Sequence, residues 1–325
     1  MASEADKRTT RILNNLIQNI SDGKYYEGHQ ALRTVVNRYV KQKKFKDAIV
    51  LLYNGAKELS KSAQWGSVSD LILYLVKIYK EQEIEVNTES KERIHELMIE
   101  FPPNDKNIKN IIDNVINWTI DKTKLPGGDA QLHHLFGTIL VQGENYHEAE
   151  RHFLFGTVES SFALGQMLYN WADSCDEADY GLFVSRGVLQ YLALGNAEYA
   201  NNCLKSFLQF YKASGHDVEK KSLESLGGSI SLEYAPDCPL INCCQLLVAV
   251  VQKSNGDPNS SATRVFSICR RRYSPLFGQN EQIFSRLFDD IAELYFGIMM
   301  QKQSNIFADL MGSLFAPTDN KTIEN

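Results

Sequence analysis

One short phrase of sequence occurs three times, each time at the start of an amphipathic segment. Tyr25-Tyr26-Glu27-Gly28, Phe45-Lys46-Asp47-Ala48 and Tyr146-His147-Glu148-Ala149 each place an aromatic residue three positions before a small one. A small side chain lets a neighbouring helix approach closely, and the aromatic ring fills the space beside it. A helix pair that cannot bury its own apolar face must stack on the next pair. The phrase therefore favours a chain of stacked helix pairs.

Apolar residues follow the 3.6-residue period of an α-helix on both sides of the first predicted turn. The first stripe consists of Leu32, Val35, Val36, Tyr39 and Val40, and it restarts after the turn with Ile49, Leu52, Tyr53 and Ala56. The three phrases do not keep a strict 34-residue period, so the repeats have diverged. We expect an all-α protein: a right-handed, tetratricopeptide-like α-solenoid of antiparallel helix pairs.

The domain prediction is a single solenoid over residues 1–315, followed by a disordered polar tail at 316–325. Only 8 prolines and 20 glycines occur in 325 residues, which argues against a β-sandwich or barrel. Further helices are predicted at 90–100, 107–120, 161–173, 178–194, 197–213, 240–252, 261–272, 281–296 and 305–315. Asp129 follows a clear loop and is placed to cap the next helix.

One segment departs from the helical period. Ile230, Leu232 and Tyr234 alternate with polar residues, which is the period of a β-strand. The sequence therefore predicts a long loop or a short β-hairpin near 226–236, with a disordered loop as the alternative.

Charge is distributed unevenly along a chain whose formal net charge is −6. That balance speaks against a general nucleic-acid-binding protein, which needs a basic footprint. Residues 24–61 are nevertheless rich in lysine and arginine, and residues 81–105 are rich in acids. Such runs are either solvated faces or surfaces that steer a protein partner.

Cysteine usage and hydropathy bear on the compartment. The six cysteines form no C-x-x-C motif and lie mostly in apolar helical runs, as small buried hydrophobes in a reducing environment. The N-terminus has no signal-peptide core, and no run of about 18 apolar residues occurs. We expect a cytosolic protein without direct membrane insertion.

Residue patterns for chemistry are not found. His147 and His152 lie five positions apart, so on a helix they point in different directions and make poor zinc ligands. No glycine-rich phosphate loop or nucleophile elbow occurs. The sequence therefore predicts no catalytic, cofactor-binding or metal-binding residues.

Tyr25 and Tyr26 cannot share one helix face, so we expect one to pack and its neighbour to be exposed beside Lys24 and Lys41 as a binding anchor.

Several blocks, in order, resemble a known family. They are KYYEGHQALRTVVNRYV, FKDAIVLLYNGA, SDLILYLVKIYKEQEIEV, LHHLFGTILVQGENYHEAERHFLFGT, PLINCCQLLVAVV and ELYFGIMMQKQSNIFADLMGSLF. These blocks are similar to the fourth component of the guided-entry-of-tail-anchored-proteins pathway, a Golgi-to-ER traffic adaptor. The resemblance implies a non-enzymatic helical adaptor.

In that family the N-terminal half, here about 1–150, binds a homodimeric ATPase that carries tail-anchored membrane proteins. The adaptor thereby favours the nucleotide-bound closed state of the ATPase. The C-terminal half, about 151–315, binds a ubiquitin-like-domain co-chaperone. Animal members also associate with a BAG-type chaperone scaffold. These partners are what the resemblance implies for this chain.

The resemblance also assigns residues for the ATPase. Tyr25 matches a contact tyrosine, and Lys41 stands where an arginine is usual, with Lys44 in the same cationic patch. Asp70 matches an acid implicated in regulating nucleotide hydrolysis. Lys77 replaces an acid seven residues later, which puts that regulatory contact in doubt unless Glu81 or Glu83 substitutes.

For the ubiquitin-like partner the match is regional. It points to segment 226–252, including Leu240, Ile241 and Leu247. The alternative is a helical-repeat subunit of another assembly, of the proteasome-lid or translation-factor type. Those proteins usually carry a C-terminal winged helix, and 240–315 shows only helical periodicity.

Overall fold

The computed structural model describes residues 4–176, 179–225 and 228–299. Its contacts divide into two compact units, Met1–Asn145 and Tyr146–Asn325. Unit 1 contains α1 (Glu4–Ser21), α2 (Tyr25–Lys41), α3 (Phe45–Ser60), α4 (Trp65–Glu81), α5 (Thr88–Met98), α6 (Ile108–Thr123) and α7 (Ala130–Gln142). Unit 2 contains α8 (Tyr146–Leu154), α9 (Val158–Asp173), α10 (Tyr180–Ala193), α11 (Ala197–Ala213), β1 (Glu219–Ser225), β2 (Gly228–Tyr234), α12 (Pro239–Gln252), α13 (Ser261–Tyr273), a 3-10 segment (Ser274–Asn280) and α14 (Glu281–Phe296).

Unit 1 is built from neighbouring helices that pack in succession. The odd-numbered helices pack in a row, α1 on α3, α3 on α5 and α5 on α7, and α4 packs on α6. The core holds large rings: Tyr79 and Trp118 lie 4.9 Å apart, and the Trp118 indole donates to the Ile84 carbonyl at 3.0 Å. These contacts bury the apolar stripes that the sequence predicts.

The first four turns of unit 1, from α1–α2 to α4–α5, each contain a residue of positive φ. Gly23, Lys43, Ala63 and Glu83, spaced every twenty residues, all have positive φ. At the second turn the Lys44 N–H donates to the Tyr39 carbonyl at 2.9 Å, across the αL residue. This bond closes the end of the preceding helix in the Schellman manner. The underlying period is therefore one helix and one turn, about half of a tetratricopeptide repeat.

The small residue of the repeated phrase marks a close approach, as predicted. A Cβ added at Gly28 would lie 3.0 Å from Leu16 Cδ1 and 3.1 Å from Asn19 Cβ, both on α1. Ala48 and Ala149 are fully buried.

Unit 2 is organised around α10, which packs against α9, α11, α12 and α14. The closest approach joins α9 to α11. A Cβ added at Gly165 would overlap the Cys203 carbonyl oxygen and lie 2.9 Å from Ser206 Cβ. Only glycine permits this backbone separation.

The strands of unit 2 form an antiparallel hairpin, in register from Glu219↔Tyr234 to Ser225↔Gly228. The sequence predicts β2 and misses β1, because β1 is a charged strand without apolar alternation. The all-α class and the helices predicted up to residue 296 are confirmed, as is the Asp129 cap, which accepts from the Gln131 and Leu132 amides. Solenoid handedness stays a prediction, and the 305–315 helix and 316–325 tail lie outside the described residues.

Candidate protein-binding surfaces

Side chains of α2 and α4 form one polar face in unit 1, here called the α2–α4 face. Its α2 members are spaced by four residues, so they form one ridge along the helix. The face consists of Tyr25, His29, Arg33, Asn37 and Lys41 on α2 and of Asp70, Tyr74, Lys77 and Glu81 on α4. It thus contains four of the five residues assigned to the ATPase contact.

Asp70 lies at the centre of this face. Its Oδ2 is 2.9 Å from His29 Nε2, and its Oδ1 accepts a hydrogen bond from Arg33 Nη1. One third of the Asp70 side chain, 34%, remains exposed. The carboxylate therefore has internal partners for both oxygens and still reaches solvent.

A second set of contacts between α2 and α4 lies nearer the C-termini of the two helices. The Tyr74 hydroxyl donates to Asn37 Oδ1 at 2.7 Å, and the Arg33 guanidinium lies 5.3 Å from the centre of the Tyr74 ring. Burial raises the pKa of the Tyr74 hydroxyl, with a lowering contribution from Arg33 and a raising one from Glu81. The phenol therefore stays protonated and serves as the donor.

Lys77 forms the next part of the face and is not an isolated charge. Its Nζ lies 3.7 Å from Glu81 Oε1, and both side chains are exposed. Such exposed pairs contribute about 0–1 kcal/mol. Glu81 thus supplies an acid one turn beyond the missing one, whereas Glu83 lies 3.8 Å from Lys122.

The two adjacent tyrosines behave differently, as expected. Tyr25 is half-buried, whereas Tyr26 is 73% exposed. The expected proximity to Lys41 is wrong, because Tyr25 begins α2 and Lys41 ends it. Those ends lie about 24 Å apart at 1.5 Å per residue.

The turn between α2 and α3 carries a cationic patch, here called the basic turn. Lys41, Lys43 and Lys44 are all exposed there. The Lys44 ammonium lies 5.8 Å from the centre of the Tyr39 ring, within cation–π range. The αL conformation of Lys43 turns the chain sharply enough to bring the three lysines together.

The three apolar residues assigned to the second partner lie in the core of unit 2. Leu240 is 3% exposed, and Ile241 and Leu247 are fully buried. These three side chains of α12 belong to the core and do not form a surface.

Two side-chain amides attach that hairpin to α12. Gln245 accepts from the Glu233 N–H at 2.8 Å and donates to its carbonyl at 2.7 Å. Asn242 does the same at Ala235, at 2.9 and 2.7 Å. Together they hold the backbone at the end of β2 and at the following Ala235 against α12, and we call them the amide clamp. Sequence reasoning missed them, although two amides three positions apart within the apolar run PLINCCQLLVAVVQ were a usable signal.

The substitution Asn242→Leu is expected to release the hairpin without unfolding the helices. It leaves the Ala235 N–H without its partner, and the Ala235 carbonyl keeps only the Cys238 N–H at 3.4 Å, at a cost of about 2 kcal/mol. Hydrogen exchange should accelerate in β1 and β2 while α10 stays protected. Gln252→Leu, at an exposed position on the same helix, is the matched control and should change nothing. Unaltered exchange in the hairpin of Asn242→Leu would contradict the clamp.

Unit 2 also contains a groove of about 590 Å³ between α8, α10 and the start of α14. Buried Glu150 accepts from Arg186 Nη2 at 2.5 Å and from Gln190. The Arg186 guanidinium in turn lies 5.2 Å from the centre of the Trp171 ring. Ile283 contributes an exposed apolar edge.

Burial holds some ionisable side chains of the described residues in their neutral forms. Burial lowers the pKa of His133 to about 4, and its Nε2 lies 2.6 Å from the Gly127 carbonyl oxygen. Burial raises the pKa of Cys244 to about 12, so it remains a thiol. Of the cysteines, Cys175 is exposed, contrary to the expectation of burial, and the other five are buried.

Within the described ranges, no group of His, Cys, Asp or Glu side chains is arranged to hold a metal ion. In the same ranges no helix has the length and apolarity needed to cross a bilayer.

Together, the fold and these surfaces define a predominantly helical protein of packed helices with one β-hairpin. The family model for Golgi to ER traffic protein 4 matches residues 42–315. Golgi to ER traffic protein 4 of Schizosaccharomyces pombe is 33% identical over 293 residues, covering 90% of this chain and 91% of the relative. The human homolog is 26% identical over 308 residues, covering 94% and 85%.

A solved crystal structure, that of C. therm. Get4, aligns with a TM-score of 0.80 at 28% identity. The alignment covers 98% of this chain and 99% of that one. The chain belongs to the Golgi to ER traffic protein 4 family.

Proposed function

We propose that this protein is a non-enzymatic cytosolic adaptor in the targeting of tail-anchored membrane proteins to the ER. It links a homodimeric targeting ATPase to a ubiquitin-like-domain co-chaperone, and in an animal also to a BAG-type scaffold. It neither binds nucleic acid nor inserts into the membrane. The observation that carries this proposal is membership of the Golgi to ER traffic protein 4 family across most of the chain.

Unit 1 is proposed to bind the ATPase through the α2–α4 face and the basic turn. Lys41 and Lys44 would attract an acidic surface of the ATPase, and Tyr25 would contact it at the other end of α2. Asp70 and Lys77 would meet charged groups between these ends. Complementary charge of this kind raises the association rate and fixes the orientation of a complex.

Unit 2 is proposed to bind the ubiquitin-like partner through the hairpin and the surface of α12. Leu240, Ile241 and Leu247 would act from beneath, by keeping α12 in place. A cavity of about 500 Å³ beside the hairpin supports this assignment, because Leu204, Leu208 and Val248 line it next to exposed Lys205 and Lys253.

An adaptor of this kind accelerates transfer without covalent chemistry. Holding ATPase and co-chaperone on one chain raises their effective concentration. Binding the closed ATPase better than the open one shifts its population toward the closed state.

The proposal is tested by mixing the purified ATPase and ubiquitin-like protein with and without this chain. Co-elution of the ATPase with the ubiquitin-like protein only when this chain is present would support it. Failure of either protein to bind the intact chain would remove the proposed function.

A further inference from the structure

We propose that Arg33 attenuates the contact between Asp70 and a cationic side chain of the ATPase. Arg33 is thereby a specificity-determining residue of the α2–α4 face. The inference rests on the proposed function, because it takes the ATPase as the partner of that face. It adds a residue that the sequence assignment of the contact did not include.

The first support is the occupancy of the Asp70 carboxylate. Arg33 donates to Oδ1, and His29 Nε2 lies 2.9 Å from Oδ2. A carboxylate offers about four acceptor positions, so two remain for an incoming donor. The 34% exposure of the side chain gives that donor access.

The second support is the fixed position of Arg33. Its guanidinium lies 5.3 Å from the centre of the Tyr74 ring, and the Tyr74 hydroxyl is itself bonded to Asn37. A side chain held from two directions loses little further entropy and does not move aside readily. Arg33 therefore stays beside Asp70 when a partner approaches.

The third support is the balance of charge at this point. The guanidinium cancels most of the negative charge that Asp70 presents and repels any cation brought against the same carboxylate. Lys77, two turns further along α4, adds a positive charge that Glu81 offsets. The face thus offers a partner cation only a weak attraction while Arg33 is charged.

The test is a double-substitution cycle with Arg33→Gln, Asp70→Asn and both together, using the purified ATPase dimer with bound nucleotide. At low salt, Arg33→Gln should tighten binding about three- to fivefold, the upper part of the range of exposed ion pairs. The tightening should be smaller in the Asp70→Asn background, where only the repulsion between Arg33 and the partner cation is relieved. Arg33→Lys, which keeps the charge, should bind like the native protein.

Equal or weaker binding by Arg33→Gln would overturn the inference, as would tightening of the same size in the Asp70→Asn background. Arg33→Met is the second variant, should Arg33→Gln fold poorly, because its stem can still pack on Tyr74 without the charge. It should show the same tightening.

Failure of the inference is distinguishable from failure of the proposed function. If the native chain does not bind the ATPase, the proposed function is wrong. If the native chain binds and reversal of the basic turn abolishes binding, but Arg33→Gln has no effect, only the role of Arg33 is wrong.

Discussion

The double substitution Lys41→Glu with Lys44→Glu is expected to weaken ATPase binding about 100-fold or more, because like charges then face each other across the contact. The fold should survive the change. A glutamate at the end of α2 opposes the helix dipole, whereas one just before α3 favours it, and each effect is about 0.3–1 kcal/mol. Titration calorimetry and circular dichroism measure the two quantities.

The matched control for this prediction is Lys205→Glu with Lys253→Glu. It makes the same change of charge at two exposed lysines of unit 2 and should leave ATPase affinity unaltered. Binding by the Lys41/Lys44 variant that remains undiminished at moderate salt would remove the basic turn from the account.

The substitution Gly165→Ala is expected to destabilise unit 2 by about 3 kcal/mol. The added methyl group overlaps the Cys203 carbonyl oxygen, and a backbone atom cannot move aside without separating α9 from α11. Equilibrium denaturation measures the loss of stability, and hydrogen exchange shows whether α9 and α11 open more readily. Binding of the ubiquitin-like partner should fall with it.

Gly66→Ala is the matched control, because it replaces another glycine with alanine. A Cβ at Gly66, in the first turn of α4, meets no other atom within 4 Å. Replacing this glycine should be neutral or stabilising by up to about 1 kcal/mol. Equal stability of the Gly165 and Gly66 variants would show that the α9–α11 contact tolerates a side chain.

Helix positions could be predicted from the sequence because periodic burial repeats over many residues. The segment Glu281–Phe296 was predicted to the residue. The turn that recurs every twenty residues could not be recognised in the sequence. Three of its αL positions are occupied by Lys43, Ala63 and Glu83, which carry no turn signal. The bonds that close the preceding helix impose this conformation on residues that do not prefer it.

The candidate sites were predicted less completely, since they depend on pairs of residues distant in sequence. Family resemblance led to Asp70, but nothing in the local sequence indicates that Arg33 and His29 bond to it. The regional match to the family led to Leu240 and Ile241, and their apolar character buries them. The side chains that fix the neighbouring hairpin are the polar Asn242 and Gln245.

The most direct measurement of the account is whether this chain bridges its two proposed partners. The ubiquitin-like protein is immobilised, and retention of the nucleotide-bound ATPase is measured with the native chain, with the Lys41/Lys44 variant and without adaptor. The account predicts retention with the native chain alone, while the variant still occupies the immobilised protein. Retention of the ATPase without the adaptor, or equal retention with the variant, would contradict it.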